Sequence, residues 1–166
     1  MGVENNKTET QGQAERIDAL RESIRRSFPA ESYKGRVTPN DDGLDDPDLD
    51  EDRDLYEALN GRKWTEVPTR LLQAESSGYE LLTDEAFTAF LPAWLMRSLE
   101  DMDAENEVRN FVVYSFSATM RRFSVLNPEQ QLTVRSILEQ FTERGTCTYV
   151  RNLAAEAIAL IDRRRY

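Results

Sequence analysis

The sequence predicts an all-α protein, a single compact bundle of about six to seven helices. Apolar residues recur with the 3.6-residue period of a helix in successive segments of the 166-residue chain, and residues typical of helix starts and stops stand at the segment ends. Only one stretch has the β-branched and aromatic composition of a strand. Because a lone strand has no pairing partner, a sheet is disfavoured.

The N-terminal part of the chain is predicted to form a tail and one amphipathic helix. Residues 1–12 are polar and show no apolar period, so we expect a mobile, disordered tail, followed by a single helical domain over residues 13–166. The first helix is predicted from about Ala14 to Phe28, where Pro29 stops it. Its apolar face consists of Ile17, Leu20, Ile24 and Phe28.

The acidic region over residues 38–60 is predicted as a loop that leads into a short helix. Pro39, Gly43 and Pro47 interrupt any regular structure in its first half. A short acidic helix is then expected over about residues 48–59. The residues expected to dock this helix on the core are Leu55, Tyr56 and Leu59.

Two further helices are predicted in the middle of the chain. The first carries the apolar face of Trp64, Val67, Leu71 and Leu72 and is closed by the run at residues 76–78. The second is the central helix, which has Thr83 as its predicted N-cap, and Pro92 predicts a kink or a restart within it. Its apolar residues surround much of the axis, which implies burial on more than one side. These residues are Phe87, Phe90, Leu91, Trp94, Leu95 and Leu99.

Three segments complete the predicted bundle. Residues 108–116 are ambiguous between strand and helix, and we favour a helix because the chain offers no second strand. Asn127 and Gln130 form a capping pair around a first-turn proline, and Gly145 ends the helix that they begin. The last helix starts at about Thr148. Its predicted inward residues are Val150, Leu153, Ala154, Ala157, Leu160 and Ile161.

The composition excludes several classes of function. The chain has no histidine, so it can form neither a histidine-activated nucleophile nor a histidine metal site. Its one cysteine, Cys147, cannot form an internal disulfide. No glycine-rich phosphate loop occurs, and no run is apolar enough to cross a bilayer. We therefore expect a soluble, cytoplasmic protein with no cofactor, no metal site and no catalytic residues of a familiar kind.

The charge distribution points to a binding role. Of the net charge of -10, residues 38–60 contribute -9, because they hold 10 acidic residues and 1 basic residue. This segment would repel a nucleic acid but would attract a basic partner protein. The sequence therefore predicts a non-enzymatic interaction module of the inhibitor, immunity or regulatory type. The candidate partner-binding residues are Asp46, Asp48, Asp50, Asp52, Asp54 and Glu57.

The same segment leaves open a weak divalent-cation-binding function. Residues 46–57 place carboxylates at five of the ligand positions of a twelve-residue calcium loop. However, Glu51 stands where such a loop needs glycine for its sharp turn, and Arg53 stands where it has an apolar residue. Ordered calcium binding is thus disfavoured, and a solvated acidic loop and helix is the simpler interpretation.

A carboxylate-based hydrolase is a second alternative. Asp84 and Glu85 are two adjacent carboxylates, and Arg122 could bind an anionic group in the same polar cleft. The hypothesis requires these three side chains to converge. The simpler interpretation is structural, with the two acids stabilising the first turn of the central helix and the arginine tying down a helix C-terminus.

Two motifs carry a resemblance to a known family. Residues 82–95 read L-T-x-E-A-F-x-x-x-L-P-A-x-L, and residues 122–134 read R-F-x-x-L-x-x-x-Q-x-x-x-V. Over about residues 55–142 the chain resembles a family of small bacterial proteins known only as a domain of unknown function. The resemblance implies a helical fold and a bacterial origin, and no catalytic residues. Some members carry a cysteine cluster near residues 46–57, where this chain has carboxylates, so the resemblance implies no thiolate metal site here.

Overall fold

The fold is described by a computed structural model that covers residues 3–73, 80–100, 102, 107–118, 120–145 and 147–163. Throughout these residues the regular structure consists of seven α-helices and short 3-10 turns, without a strand. The helices are α1 (Val3–Ser27), α2 (Asp50–Leu59), α3 (Asp84–Ser98), α4 (Glu107–Ala118), α5 (Met120–Ser124), α6 (Pro128–Arg144) and α7 (Thr148–Arg163). The predicted all-α fold class is confirmed.

The first helix is longer than its apolar period predicts. α1 begins at Val3 instead of near Ala14, so the helix extends over eleven mostly polar residues that show no apolar period. None of the side chains described over residues 11–16 is buried, and the first buried one is Ile17. The side chains of residues 11–16 therefore lie outside the packed core, and the backbone that was expected to be a tail is helical from Val3 onward.

The central helix α3 lies among the other helices and packs against α1 and α4. Thr83 is its N-cap, as predicted, and its hydroxyl accepts a hydrogen bond from the Ala86 amide at 3.1 Å. The helix continues through Pro92, so the predicted restart does not occur. Burial on more than one side is confirmed. The buried apolar residues of α3 are Ala86, Phe87, Phe90, Leu91, Pro92, Ala93, Trp94 and Leu95.

Helices α4, α6 and α7 form the other half of the core, with α7 packed against both α4 and α6. The ambiguous residues 108–116 lie within α4 and are helical, as favoured. The capping pair at the start of α6 is also confirmed, because the Asn127 side chain accepts from the Gln130 amide while the Gln130 side chain accepts from the Asn127 amide, both at 3.0 Å. Local signals predicted the start of α6, whereas the helix at residues 108–116 was predicted from the lack of a second strand in the sequence.

A buried arginine joins these two halves. Arg109 of α4 is fully buried, and its guanidinium donates to the carbonyl oxygens of Ser98 and Glu100, both at 3.3 Å, just after α3 ends. The same group lies 5.6 Å from the ring centroid of Phe141 in α6. The sequence analysis did not single out this residue, because its partners are brought together only by the fold.

The region after α2 differs from its prediction. Two short 3-10 turns, Trp64–Glu66 and Thr69–Leu72, replace the predicted helix. Pro68 separates them, and Val67 before it is extended, with φ -60° and ψ 125°. A residue that precedes proline is disfavoured in the helical region, so the prediction of one helical face was wrong. The apolar residues still reach the core, but the predicted closing run at 76–78 lies outside the described residues.

Candidate functional site

The acidic segment begins with a turn that a carboxylate organises. The Asp41 side chain accepts hydrogen bonds from the backbone amides of Val37 at 2.7 Å and Thr38 at 2.8 Å, and from the Thr38 hydroxyl at 3.1 Å. Val37 and Thr38 are both fully buried. Because buried amides need acceptors, Asp41 holds this part of the loop in place and has a structural role.

The one basic residue of the segment, Arg53, is used to join the loop to α2. Its guanidinium donates to the carbonyl oxygens of Leu44 at 2.9 Å and Asp46 at 3.1 Å, and to the Asp50 carboxylate at 2.8 Å. The Asp46 carboxylate in turn accepts from the Asp48 amide at 3.0 Å. The acidic segment is thus an ordered, internally hydrogen-bonded structure.

Five of the six predicted partner-binding residues are exposed on this ordered segment. Two of them lie on the turn that leads into α2, and three lie on the helix itself at intervals of four and three residues, which places them on one side. We call these five residues the acidic face. They are Asp46, Asp48, Asp50, Asp54 and Glu57.

Asp52 does not belong to the acidic face, contrary to its place in the predicted set. The residue is only 5% exposed, and its Oδ1 atom accepts a hydrogen bond from Asn40 Nδ2 at 3.1 Å. Asp52 precedes Leu55 by three residues and Leu59 by seven, so it shares the inner side of α2 with them. This spacing was a readable signal of burial that the sequence analysis missed.

The geometry gives no support to the calcium-loop interpretation. Residues 46–57 form a 3-10 turn, Pro47–Leu49, followed by α2, so two of the five carboxylates lie on the turn and three are spread along the helix. In the part of the chain that the structure describes, no group of three potential ligand side chains is placed to hold a metal ion.

Two cavities flank the first turn of α3. The first cavity, of about 660 Å³, lies beside the chain that follows α1 and is lined by Tyr33, Asp84 and Glu85 among others. The second cavity, of about 370 Å³, lies beside the acidic segment and is lined by Asp52, Asp84 and Arg122 among others. Asp84 therefore borders both cavities, while Glu85 and Arg122 border different ones. The convergence that the hydrolase hypothesis requires does not occur.

Arg122 is held by contacts within the protein. Its guanidinium donates to the Glu80 carbonyl oxygen at 3.0 Å and lies 4.7 Å from the ring centroid of Phe87. Asp84 and Glu85 lie in the first turn of α3, where carboxylates interact favourably with the exposed backbone amides. The arrangement fits the structural interpretation of these residues.

Tyr33 is a notable residue of the first cavity that sequence reasoning missed. Its hydroxyl donates to the Arg36 carbonyl oxygen at 2.7 Å, and its ring packs edge-on against Phe90 with the centroids 5.4 Å apart. Burial raises the pKa of this phenol. A hydrogen bond with Thr83 opposes the rise in the pKa, whereas the nearby carboxylates Glu85 and Asp41 add to it.

Comparisons with known proteins give no functional information. The chain matches no family model, no curated protein and no solved structure. The resemblance to the bacterial family of unknown function therefore stays a prediction. No helix among the residues that the structure describes is long and apolar enough to span a membrane.

Proposed function

We propose that the chain is a protein-interaction module, of the inhibitor, immunity or regulatory type, whose acidic face binds a basic partner protein. One observation carries the proposal: five exposed carboxylates lie on one ordered segment that concentrates a net charge of -9, while the rest of the chain is nearly neutral. Charge that served solubility alone would be spread over the surface.

The organisation of the segment supports recognition. Asp41 and Arg53 satisfy its backbone groups, so the segment is ordered before any partner arrives. An interface that is already ordered loses less conformational entropy on binding than a disordered acidic loop does. Like charges on one face also steer a cationic partner and accelerate its association.

A binding role also agrees better with the cavities than a hydrolase does. A carboxylate hydrolase needs an acid and a base that face one substrate. The three groups of the hydrolase hypothesis do not share one cavity, because Asp84 lines both cavities, Glu85 lines the first and Arg122 lines the second. We therefore assign the segment's chemistry to electrostatic recognition and propose no catalytic residue.

The proposal is tested by measuring how partner association depends on the acidic face. The immobilised chain captures a partner from host lysate, and the association rate of the purified partner is then measured at low and high salt. In the test variant, the acidic face is neutralised by Asp46→Asn, Asp48→Asn, Asp50→Asn, Asp54→Asn and Glu57→Gln. We expect the association rate at low salt to fall about tenfold or more and most of its salt dependence to disappear.

A matched control separates the acidic face from net charge. The control variant neutralises five exposed acids on α1, α6 and α7, and thus changes the net charge by the same amount. Its substitutions are Asp18→Asn, Glu22→Gln, Glu129→Gln, Glu143→Gln and Glu156→Gln. We expect a much smaller loss of association rate than for the acidic face. The proposal would be overturned if both variants had the same association rate with the partner and if the association rate of the wild type did not depend on salt.

A further inference from the structure

We infer that the second cavity binds the ammonium group of a lysine side chain from the partner protein. This inference rests on the proposed function, because it names the side chain with which the basic partner anchors in the acidic segment. The cavity lies beside the acidic segment, against the inner side of α2. Its lining consists of Pro39 and Asn40 of the acidic loop, Asp52 of α2, residues 80–83, Asp84 at the start of α3, and Arg122.

The decisive observation is an unpartnered oxygen on a buried carboxylate. Asp52 is 5% exposed, and its Oδ1 atom accepts from Asn40, but its Oδ2 atom receives no hydrogen bond from any described residue. The one fully buried side-chain oxygen without a partner in the described structure is Gln140 Oε1. Asp52 Oδ2 therefore keeps some accessible surface, and Asp52 is one of the residues that line the second cavity.

The charges around the cavity select a cation. Three acidic residues, Asp52, Glu80 and Asp84, line the cavity, and Arg122 is the one basic residue in its lining. That guanidinium is held by the Glu80 carbonyl oxygen and the Phe87 ring. A carboxylate that has lost most of its water is strongly stabilised by an opposite charge, so an incoming cation satisfies Asp52.

The hydrogen-bond geometry favours an ammonium group over a guanidinium. A guanidinium binds best when its two parallel donors meet both oxygens of a carboxylate, and Asn40 already donates to Oδ1 of Asp52 and competes with one of those donors. An ammonium has three donors that can reach separate acceptors. The apolar side chains of Pro39, Leu81 and Leu82 in the lining suit the aliphatic stem of a lysine.

The test uses the full chain and a blocked five-residue peptide that has one central lysine among glycines. Matched peptides carry arginine or norleucine at the centre, and amide chemical shifts are followed by NMR during each titration. We expect saturable shifts at Asn40, Asp52 and Thr83 with the lysine peptide. We expect binding at least tenfold weaker with the arginine peptide, and no saturable shift with norleucine.

Two variants locate the ammonium site. Asp52→Asn should weaken binding of the lysine peptide at least tenfold, whereas Asp54→Asn, which makes the same charge change at an exposed neighbour, should weaken it by less than threefold. Asn40→Ala changes an exposed residue and removes the hydrogen bond to Asp52. The arginine peptide should then bind to this variant almost as tightly as the lysine peptide does. This variant also tests the inference if Asp52→Asn fails to fold.

Three results would overturn the inference. They are equal weakening by Asp52→Asn and Asp54→Asn, equal binding of the lysine and norleucine peptides, and shifts confined to the acidic face. These titrations contain no partner protein. If the peptide titrations contradict the ammonium site, the proposed function still holds as long as the acidic face controls association with the partner. If the association experiment contradicts the proposed function, the peptide titrations still report whether the cavity binds an ammonium group.

Discussion

The helices around α3 and the acidic segment are ordered by different interactions. Around α3, order comes from apolar contact, since Phe87 and Phe116 are fully buried and pack edge-on with their ring centroids 6.2 Å apart. In the acidic segment, order comes from carboxylates and a guanidinium that bind backbone groups, as at Asp41 and Arg53. The inward-facing acids therefore hold the buried backbone of the segment. In the exposed acidic face, Asp46 accepts from the Asp48 amide and Asp50 pairs with Arg53 at the surface.

The largest effect is expected in the apolar region. Phe90 is fully buried, so Phe90→Ala removes packing on several sides of α3 and should lower the free energy of unfolding by about 3 to 5 kcal/mol. Urea unfolding followed by circular dichroism measures the loss. Leu132→Ala is the control at a 52% exposed position, and it should change stability by less than about 0.5 kcal/mol. Similar losses for both would show that α3 is not the centre of the core.

An intermediate effect is expected from the structural acid of the segment. Asp41→Ala leaves the buried amides of Val37 and Thr38 without acceptors, so it should lower the free energy of unfolding by about 1 to 3 kcal/mol. The neighbouring substitution Asp42→Ala removes only an exposed ion pair with Arg36 and should cost about 0 to 1 kcal/mol. If the neighbour costs as much, the segment's order does not come from these amide contacts.

The smallest effect concerns Tyr33, which lies between the two regions. Its raised pKa means that the phenol should ionise above the ordinary value of about 10. The folded state then holds more protons than the unfolded state between the two pKa values, so the free energy of unfolding should fall as the pH rises past about 10.

Subtracting the ultraviolet titration of Tyr33→Phe from that of the wild type isolates this phenol. The difference curve should have its midpoint above pH 10, and the variant should lose the corresponding decline in stability. A midpoint at or below 10 would mean that the ring is not buried against Phe90 as described.

Features that depend on residues close in sequence could be predicted. Thr83 caps α3 through an amide three residues later, and Asn127 and Gln130 cap each other across one turn. Two wrong predictions also had local signals against them. The helical spacing of Asp52 from Leu55 and Leu59 indicates burial, and the proline after Val67 disfavours a continuous helix.

The rest depends on distant contacts that spacing does not encode. The burial of Arg109 requires the end of α3 and the ring of Phe141 to meet around it. The second cavity requires α2, the loop before it and the start of α3 to come together. No sequence pattern indicates which of the many carboxylates will line the second cavity. The position of Asp52 in that cavity therefore followed only from the structure.

The stability of the variant with the neutralised acidic face tests the central claim most directly. If the exposed acids serve recognition and the inward ones serve the fold, urea unfolding at neutral pH and low salt should give a free energy within about 1 kcal/mol of the wild type. The Asp50–Arg53 ion pair is exposed and worth little, and relief of mutual repulsion offsets its loss. A loss as large as that of Asp41→Ala would contradict this division of roles.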